Sequence, residues 1–290
     1  MIDAPRLFLF GPGFSALALV RRLDARGWRV SGTVRNPRAQ TALAARGLAP
    51  INLADTAAVA ATLRACDAVL VSAPPGEDGC PGIAALAPVL AASTRTRWIG
   101  YLSTTGVYGD RHGRWVTENS ELAPLSAQGR RRVAAEQAWL ALGARTPAAA
   151  VAIFRLPGLY GPGRSAFDRL REGTTQQIIK PGQVFSRVHV DDLAAALEAS
   201  IARRRPGGIY NVCDDLPCPP QDVTAHAATL LGIAPPPQIA FDDPAVSPAS
   251  RRFYAENKRV SNARAKAELG WRPMYPTYRE GLAAILAAGG

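Results

Sequence analysis

The chain has 290 residues, 48% of them hydrophobic and 20% charged, with a mean hydropathy of −0.01. That apolar content excludes a disordered chain, and no run approaches the roughly 18 consecutive apolar residues of a membrane span. The net charge is +11, from 34 basic and 23 acidic residues; Lys180, Lys258 and Lys266 are the only lysines, so the other 31 basic residues are arginines.

The elements read from the amino terminus alternate between strand and helix, the pattern of a parallel sheet covered on both faces. Arg6 to Phe10 is a buried strand, Phe14 to Arg26 a helix stopped by Gly27, and Trp28 to Val34 the second strand. A helix from Pro37 to Arg46 ends at Gly47, Ala49 to Leu53 is the third strand, and Asp55 caps a helix that runs to about Cys66. Asp67 to Ser72 is the fourth strand. After Pro74-Pro75-Gly76 a helix over Ile83 to Ala92 leads to the fifth strand, Trp98 to Ser103. A helix from Ser126 to Ala141, a sixth strand from Val151 to Leu156 and a seventh from Gly208 to Val212 follow. The last 75 residues are Pro-rich and less periodic.

The expected architecture is therefore α/β, a Rossmann-type doubly wound parallel sheet of about seven strands with a smaller C-terminal substrate region. Residues 1–163 with 185–213 form the nucleotide-binding part, and 164–184 with 214–290 the small part. Phe185, Phe253, Trp271 and Tyr275 are expected to pack a core within it.

The apolar start Leu7 to Phe10 is too short for a signal-peptide core and runs into Gly11, so a cytoplasmic location without membrane association is expected. Cys66, Cys80, Cys213 and Cys218 lack histidine partners at metal spacing and read as reduced thiols, with no metal site. Arg130 to Arg132, Arg203 to Arg205 and Arg251 to Arg252 lie far apart without interleaved aromatics, so no specific nucleic-acid partner is expected.

Gly11-Pro12-Gly13-Phe14-Ser15-Ala16 lies between a strand and a helix, where G-x-G-x-x-G/A carries meaning. Gly11 permits the turn, Gly13 lets a pyrophosphate approach the backbone, Ala16 lets helix and strand pack closely, and the helix N-terminus attracts the anion. An NAD-binding chain places a carboxylate at the end of the second strand. Here Gly32-Thr33-Val34-Arg35-Asn36 has none, and Arg35 suits a 2′-phosphate, so NADP is expected over NAD. Ala73, Pro74 and Pro75 after the fourth strand complete the predicted cofactor contacts on this side.

Leu102 to Asp110 (LSTTGVYGD) resembles the S-[ST]-x-x-V-Y-G-D segment of the extended short-chain dehydrogenase/reductases, the group containing sugar-nucleotide epimerases and dehydratases. Further matches are Arg155 to Gly163 (RLPGLYGPG), Arg187 to Asp192 (RVHVDD), Tyr210-Asn211-Val212, and Glu268-Leu269-Gly270-Trp271 with Pro273. The resemblance implies that Thr104 orients a substrate oxygen, that Ser103, Pro157 and Leu159 line the cofactor site, and that a Tyr-x-x-x-Lys pair stands on the next helix. Anchored on Glu136, that pair falls on Gln128 and Arg132. Glutamine cannot exchange a proton near neutral pH, whereas Arg132 retains hydrogen-bond donors and also suits an i,i+4 ion pair with Glu136.

Tyr108, Tyr160 and His189 are the remaining candidates for proton transfer, His189 equally as a cap for the helix starting at Asp191-Asp192. The literal Tyr254-x-x-x-Lys258 lies beyond the seventh strand, off the expected helix. Arg164 and Arg187 are placed to meet a phosphate or carboxylate. Two functions follow: an NADP-dependent oxidoreductase or epimerase/dehydratase-like enzyme for a small polar, sugar-like substrate, or a catalytically silent NADP-binding redox sensor or regulatory protein. The fold analogy also implies a homodimer through the helices near residues 83–92 and 126–141.

Overall fold

The structure, a computed structural model, describes residues 4–146, 148–173 and 176–290. In chain order the first half comprises β1 (Arg6–Phe10), α1 (Phe14–Asp24), β2 (Arg29–Val34), α2 (Pro37–Ala44), β3 (Ala49–Asn52), α3 (Thr56–Arg64), β4 (Ala68–Val71), α4 (Pro81–Ala91), β5 (Trp98–Thr104), β6 (Trp115–Val116), α5 (Ala127–Ala144) and β7 (Ala150–Leu156). The second half comprises β8 (Gly158–Tyr160), α6 (Ala166–Arg171), β9 (Gln177–Ile179), β10 (Arg187–His189), α7 (Val190–Arg203), β11 (Gly208–Asn211), α8 (Pro220–Leu231), β12 (Gln238–Ala240), α9 (Pro248–Phe253), β13 (Arg259–Val260), α10 (Ala263–Leu269) and α11 (Tyr278–Ala287). The expected elements of the first half are present, with ends that differ by a few residues as fraying helices do.

Seven strands form one parallel sheet in the order β11-β7-β5-β4-β1-β2-β3. Leu7–Phe10 of β1 and all of β4, at the centre of the sheet, are apolar without interruption because helices cover both faces. Alternation within β1 divides the core: Leu7 and Leu9 face α1 and α7, while Phe8 and Phe10 face the layer of α3, α4 and α5 that holds Trp139. Strand order reverses between β1 and β4, which opens a crevice at their carboxyl ends, where open α/β sheets bind ligands.

The Pro-rich final part is more helical than its sequence suggests, with α8, α9, α10 and α11. Phe167, Ala227, Tyr278 and Leu282 give α6, α8 and α11 a core of their own. Residues assigned from sequence to that small region behave differently around α10. Ala265, Leu269 and Trp271 pack into the main core, and the Trp271 indole N–H donates to Asp192 O at 3.0 Å. These residues pack against α7, whose Leu193, Ala194 and Leu197 are also fully buried. Phe185 and Phe253 do pack together, with ring centroids 4.6 Å apart.

Two carboxylates lie buried along this seam. Asp192 accepts from Met274 N at 2.6 Å and Tyr275 N at 3.1 Å, yet burial still pushes its pKa up to about 6. Burial pushes Asp214 up to about 7 against the opposing charge of Arg187, and its Oδ2 has no partner among the described residues. A carboxyl whose folded pKa is raised contributes fully to stability below its unfolded pKa, and that contribution is lost as pH rises through the folded pKa. The cost of ionising Asp214 should amount to on the order of 2 kcal/mol between pH 5 and 8. Urea unfolding of wild type and Asp214→Asn across that range should therefore show the variant gaining relative stability as pH rises; a constant difference would contradict it.

Candidate functional site

The glycine-rich loop is held by its neighbours on both sides. Gly11 takes φ +84° and sits so close to Ala73 that a Cβ would come within 3.0 Å of it, so only glycine fits the turn. Its N–H donates to Thr33 Oγ1 of β2 at 3.1 Å, and Ser72 after β4 donates to its carbonyl. Gly13, the N-cap of α1, supplies no side-chain cap, and the first turn carries no acidic residue. A Cβ on Gly13 would meet nothing closer than Gly11 O at 4.0 Å. The loop thus presents open space and uncapped helix amides, which fits a diphosphate.

On the neighbouring edge, Arg35 is exposed at the end of β2 and makes no ion pair with any described residue. Asn36 Oδ1 accepts from Ala39 N at 2.8 Å, so the side chain caps α2. Pro74 is exposed, Pro75 buried. Across the crevice Thr104 pairs in register with Leu156, which sets Pro157 and Leu159 beside the end of β5. Thr104 is half-buried, and its Oγ1 accepts from Gly106 N at 3.1 Å. Its own O–H remains able to donate.

Behind the crevice lies a buried polar network centred on Glu136 of α5 and Arg155 of β7, exposed by 2% and 3%. Arg155 Nη2 reaches Glu136 Oε2 at 2.8 Å, and its Nη1 donates to Tyr108 Oη at 3.0 Å and Glu118 O at 3.2 Å. Ser103 Oγ donates to Glu136 Oε1 at 2.5 Å, and Tyr108 donates to Asn211 Oδ1 at 2.7 Å. Burial alone would lower the Arg155 pKa, but the bonds and charge of Glu136 outweigh it and hold it above its usual value.

This network corrects several expectations. Tyr108 is fully buried with its hydroxyl bonded on both sides, and burial raises its pKa, so it is a strut rather than a proton donor in the crevice. The hydroxyl of Ser103 is committed to Glu136. The Arg132–Glu136 ion pair does not form, because Arg155 occupies the carboxylate. Arg132 instead donates from Nη1 to Leu102 O at 2.6 Å and lies over the Tyr101 ring, while Gln128 is exposed.

His189 is the N-cap of α7. Its Nδ1 accepts from Asp191 N at 3.2 Å, and its 2% exposure lowers its pKa by desolvation, so it stays neutral and enclosed. Tyr160 is buried, with its hydroxyl 3.5 Å from Thr277 O. Tyr254 is packed on Phe185 and Phe241, which removes it from proton transfer, and Lys258 Nζ donates to Gly109 O at 2.8 Å. The Glu136–Arg155 pair escaped the sequence reading, although an arginine inside the apolar strand VAIFRL signals a buried counter-charge.

Comparison with known proteins agrees with this architecture. The NAD dependent epimerase/dehydratase family matches over residues 83–213. A functionally unknown conserved protein of Silicibacter pomeroyi DSS is 48% identical with a TM-score of 0.90, covering 98% of this chain and 99% of its own. Protein YeeZ of Escherichia coli K12 is 28% identical over 285 residues, 93% of this chain and 96% of that protein. The dTDP-glucose 4,6-dehydratase of Bacillus anthracis, solved in complex with NAD, shares the fold at a TM-score of 0.78 and 17% identity, over 98% and 96% of the two chains. The family match lies in the middle of the chain, and the whole chain shares its fold with these solved neighbours.

Removing one member of the buried pair tests its place in the fold. Glu136→Gln leaves a buried guanidinium without its counter-charge and should cost about 3–5 kcal/mol by urea unfolding. Glu136→Leu with Arg155→Met should cost less than Glu136→Gln alone. A loss under about 1 kcal/mol for Glu136→Gln would show that the pair does not anchor α5.

Proposed function

We propose that the chain binds NADP(H) and acts as an oxidoreductase or epimerase/dehydratase-like enzyme on a small polar, sugar-like substrate. The observation that carries the cofactor is the glycine loop, pinned by Thr33 and Ser72 with open space above Gly13 and uncapped amides at the start of α1. Bound there, the nicotinamide supplies a hydride donor or acceptor. The B. anthracis neighbour holds NAD, but the end of β2 here offers Arg35 without a carboxylate, which supports the phosphorylated form.

The chain's part in the chemistry is positional. Thr104, at the carboxyl end of β5, donates its O–H to a substrate oxygen and holds the carbon for hydride transfer. Gln128 contributes hydrogen bonds from the place of the family's tyrosine but exchanges no proton. Arg132 keeps a positive charge on the same helix with its guanidinium tied to Leu102 O. Water or the substrate itself then supplies the proton, since Tyr101, Tyr108 and Tyr160 are all buried.

Those buried hydroxyls also favour a second reading, an NADP-binding redox sensor without turnover. The two separate by experiment. NADPH should bind at least about tenfold more tightly than NADH, with the preference reversed in Arg35→Asp; equal wild-type affinities would refute the cofactor assignment. With NADPH and a panel of carbonyl and nucleotide-sugar compounds, Thr104→Ala should lower turnover by about 10–100-fold while binding NADPH normally. Tight binding with no turnover on any compound would favour the sensor.

A further inference from the structure

β8 ends in the turn Gly161-Pro162-Gly163-Arg164, whose first and last residues exchange two backbone hydrogen bonds: Gly161 N to Arg164 O at 3.1 Å and Arg164 N to Gly161 O at 3.0 Å. The turn rests against the glycine-rich loop. A Cβ on Gly161 would lie 3.2 Å from the Phe14 ring and 2.7 Å from Val190, so glycine alone allows this approach. Phe14 is the first residue of α1, and the Arg164 guanidinium lies over its ring, 5.5 Å from the centroid.

Arg164 is exposed, so water screens its charge, but the helix itself does not favour a cation at this place. The amino end of a helix carries a partial positive charge, and a second cation there is unfavourable. Most arginines near α1 have acidic partners, as Arg21 has Asp191 and Arg22 has Glu198. Arg164 has no carboxylate and no side-chain hydrogen bond among the described residues. The nearest acid in sequence, Asp168, is committed to the capping box of α6, accepting from Ser165 N at 2.6 Å and Ser165 Oγ at 2.7 Å. A cation held on a rigid turn against uncapped helix amides lacks only an anion between them.

We propose that Arg164 is a cofactor-binding residue that clamps the pyrophosphate against the amino end of α1, from the side opposite the glycine loop. The proposal rests on the dinucleotide reading above and extends it to a residue outside the glycine motif. Contact with the Phe14 ring keeps the guanidinium beside the first turn of α1, where its donors are available to phosphate oxygens.

Titration by intrinsic fluorescence at low ionic strength tests it with binding alone. NADPH, 2′-phospho-ADP-ribose and 2′-AMP serve as probes; the second lacks nicotinamide, and the third lacks the bridging phosphates. Arg164→Gln should weaken NADPH and 2′-phospho-ADP-ribose by about tenfold or more and leave 2′-AMP within about twofold, while Arg164→Lys recovers part of the loss. If wild type binds NADH instead, NADH, ADP-ribose and adenosine replace the three probes. Equal weakening of all three probes, or none, would overturn the clamp. Failure of wild type to bind either dinucleotide would instead overturn the cofactor reading, and with it the clamp. Thermal unfolding of Arg164→Gln close to that of wild type excludes a folding defect as the cause.

Discussion

The buried pair of Glu136 and Arg155 fixes how the upper end of this protein is assembled. It joins the middle of α5 to the carboxyl end of β7, and through Ser103, Tyr108 and Asn211 it ties in β5, the turn after it and β11. Two charges withdrawn from water are tolerated only where further hydrogen bonds satisfy them, which is why so many polar groups gather there. A consequence is that α5 cannot rotate. Gln128 and Arg132, two turns and one turn toward the amino end, are held in the places where the sequence resemblance puts a tyrosine and a lysine.

The same constraint decides which tyrosines remain available for chemistry. The Tyr108 hydroxyl is bonded to Arg155 and Asn211, so the residue that stands nearest Thr104 in the motif is part of the scaffold. Tyr101 is fully buried beneath Arg132, and burial pushes its pKa up. Raised tyrosine pKa values at an active site would ordinarily invite a catalytic assignment. Here they accompany desolvation in a packed layer and mark structure. Thr104 remains the polar side chain of β5 with an exposed surface and an uncommitted O–H.

Much of the fold was legible because its physics is local and periodic. Apolar strands, Gly27 and Gly47 at helix ends, and the Asp55 cap locate the first four strands without knowledge of tertiary structure. The glycine loop was legible because Gly11 obeys a backbone requirement that sequence records directly. Legibility fails where burial depends on distant partners. Nothing in Trp271 announces that Asp192 will accept its indole N–H at the carbonyl, nor in Glu136 that its partner is 19 residues away rather than four. His189 illustrates the same limit: its type suggests titration, while its position at the start of α7 turns it into a neutral cap.

The shortage of lysine then acquires a structural meaning. Lysine in the usual place presents a rotatable point charge, whereas the guanidinium of Arg132 is planar and forks between neighbours. In this protein the fork is directed at Leu102 O and the Tyr101 ring, that is, into the sheet and the layer beneath it. Paired with glutamine, it preserves positive charge along α5 without a proton relay. On the proposed reading this restricts the chemistry to hydride transfers whose proton reaches the substrate from solvent or from the substrate's own groups. On that reading arginine at residue 132 is consistent with glutamine at residue 128: with no tyrosine there whose pKa needs lowering, nothing requires a lysine.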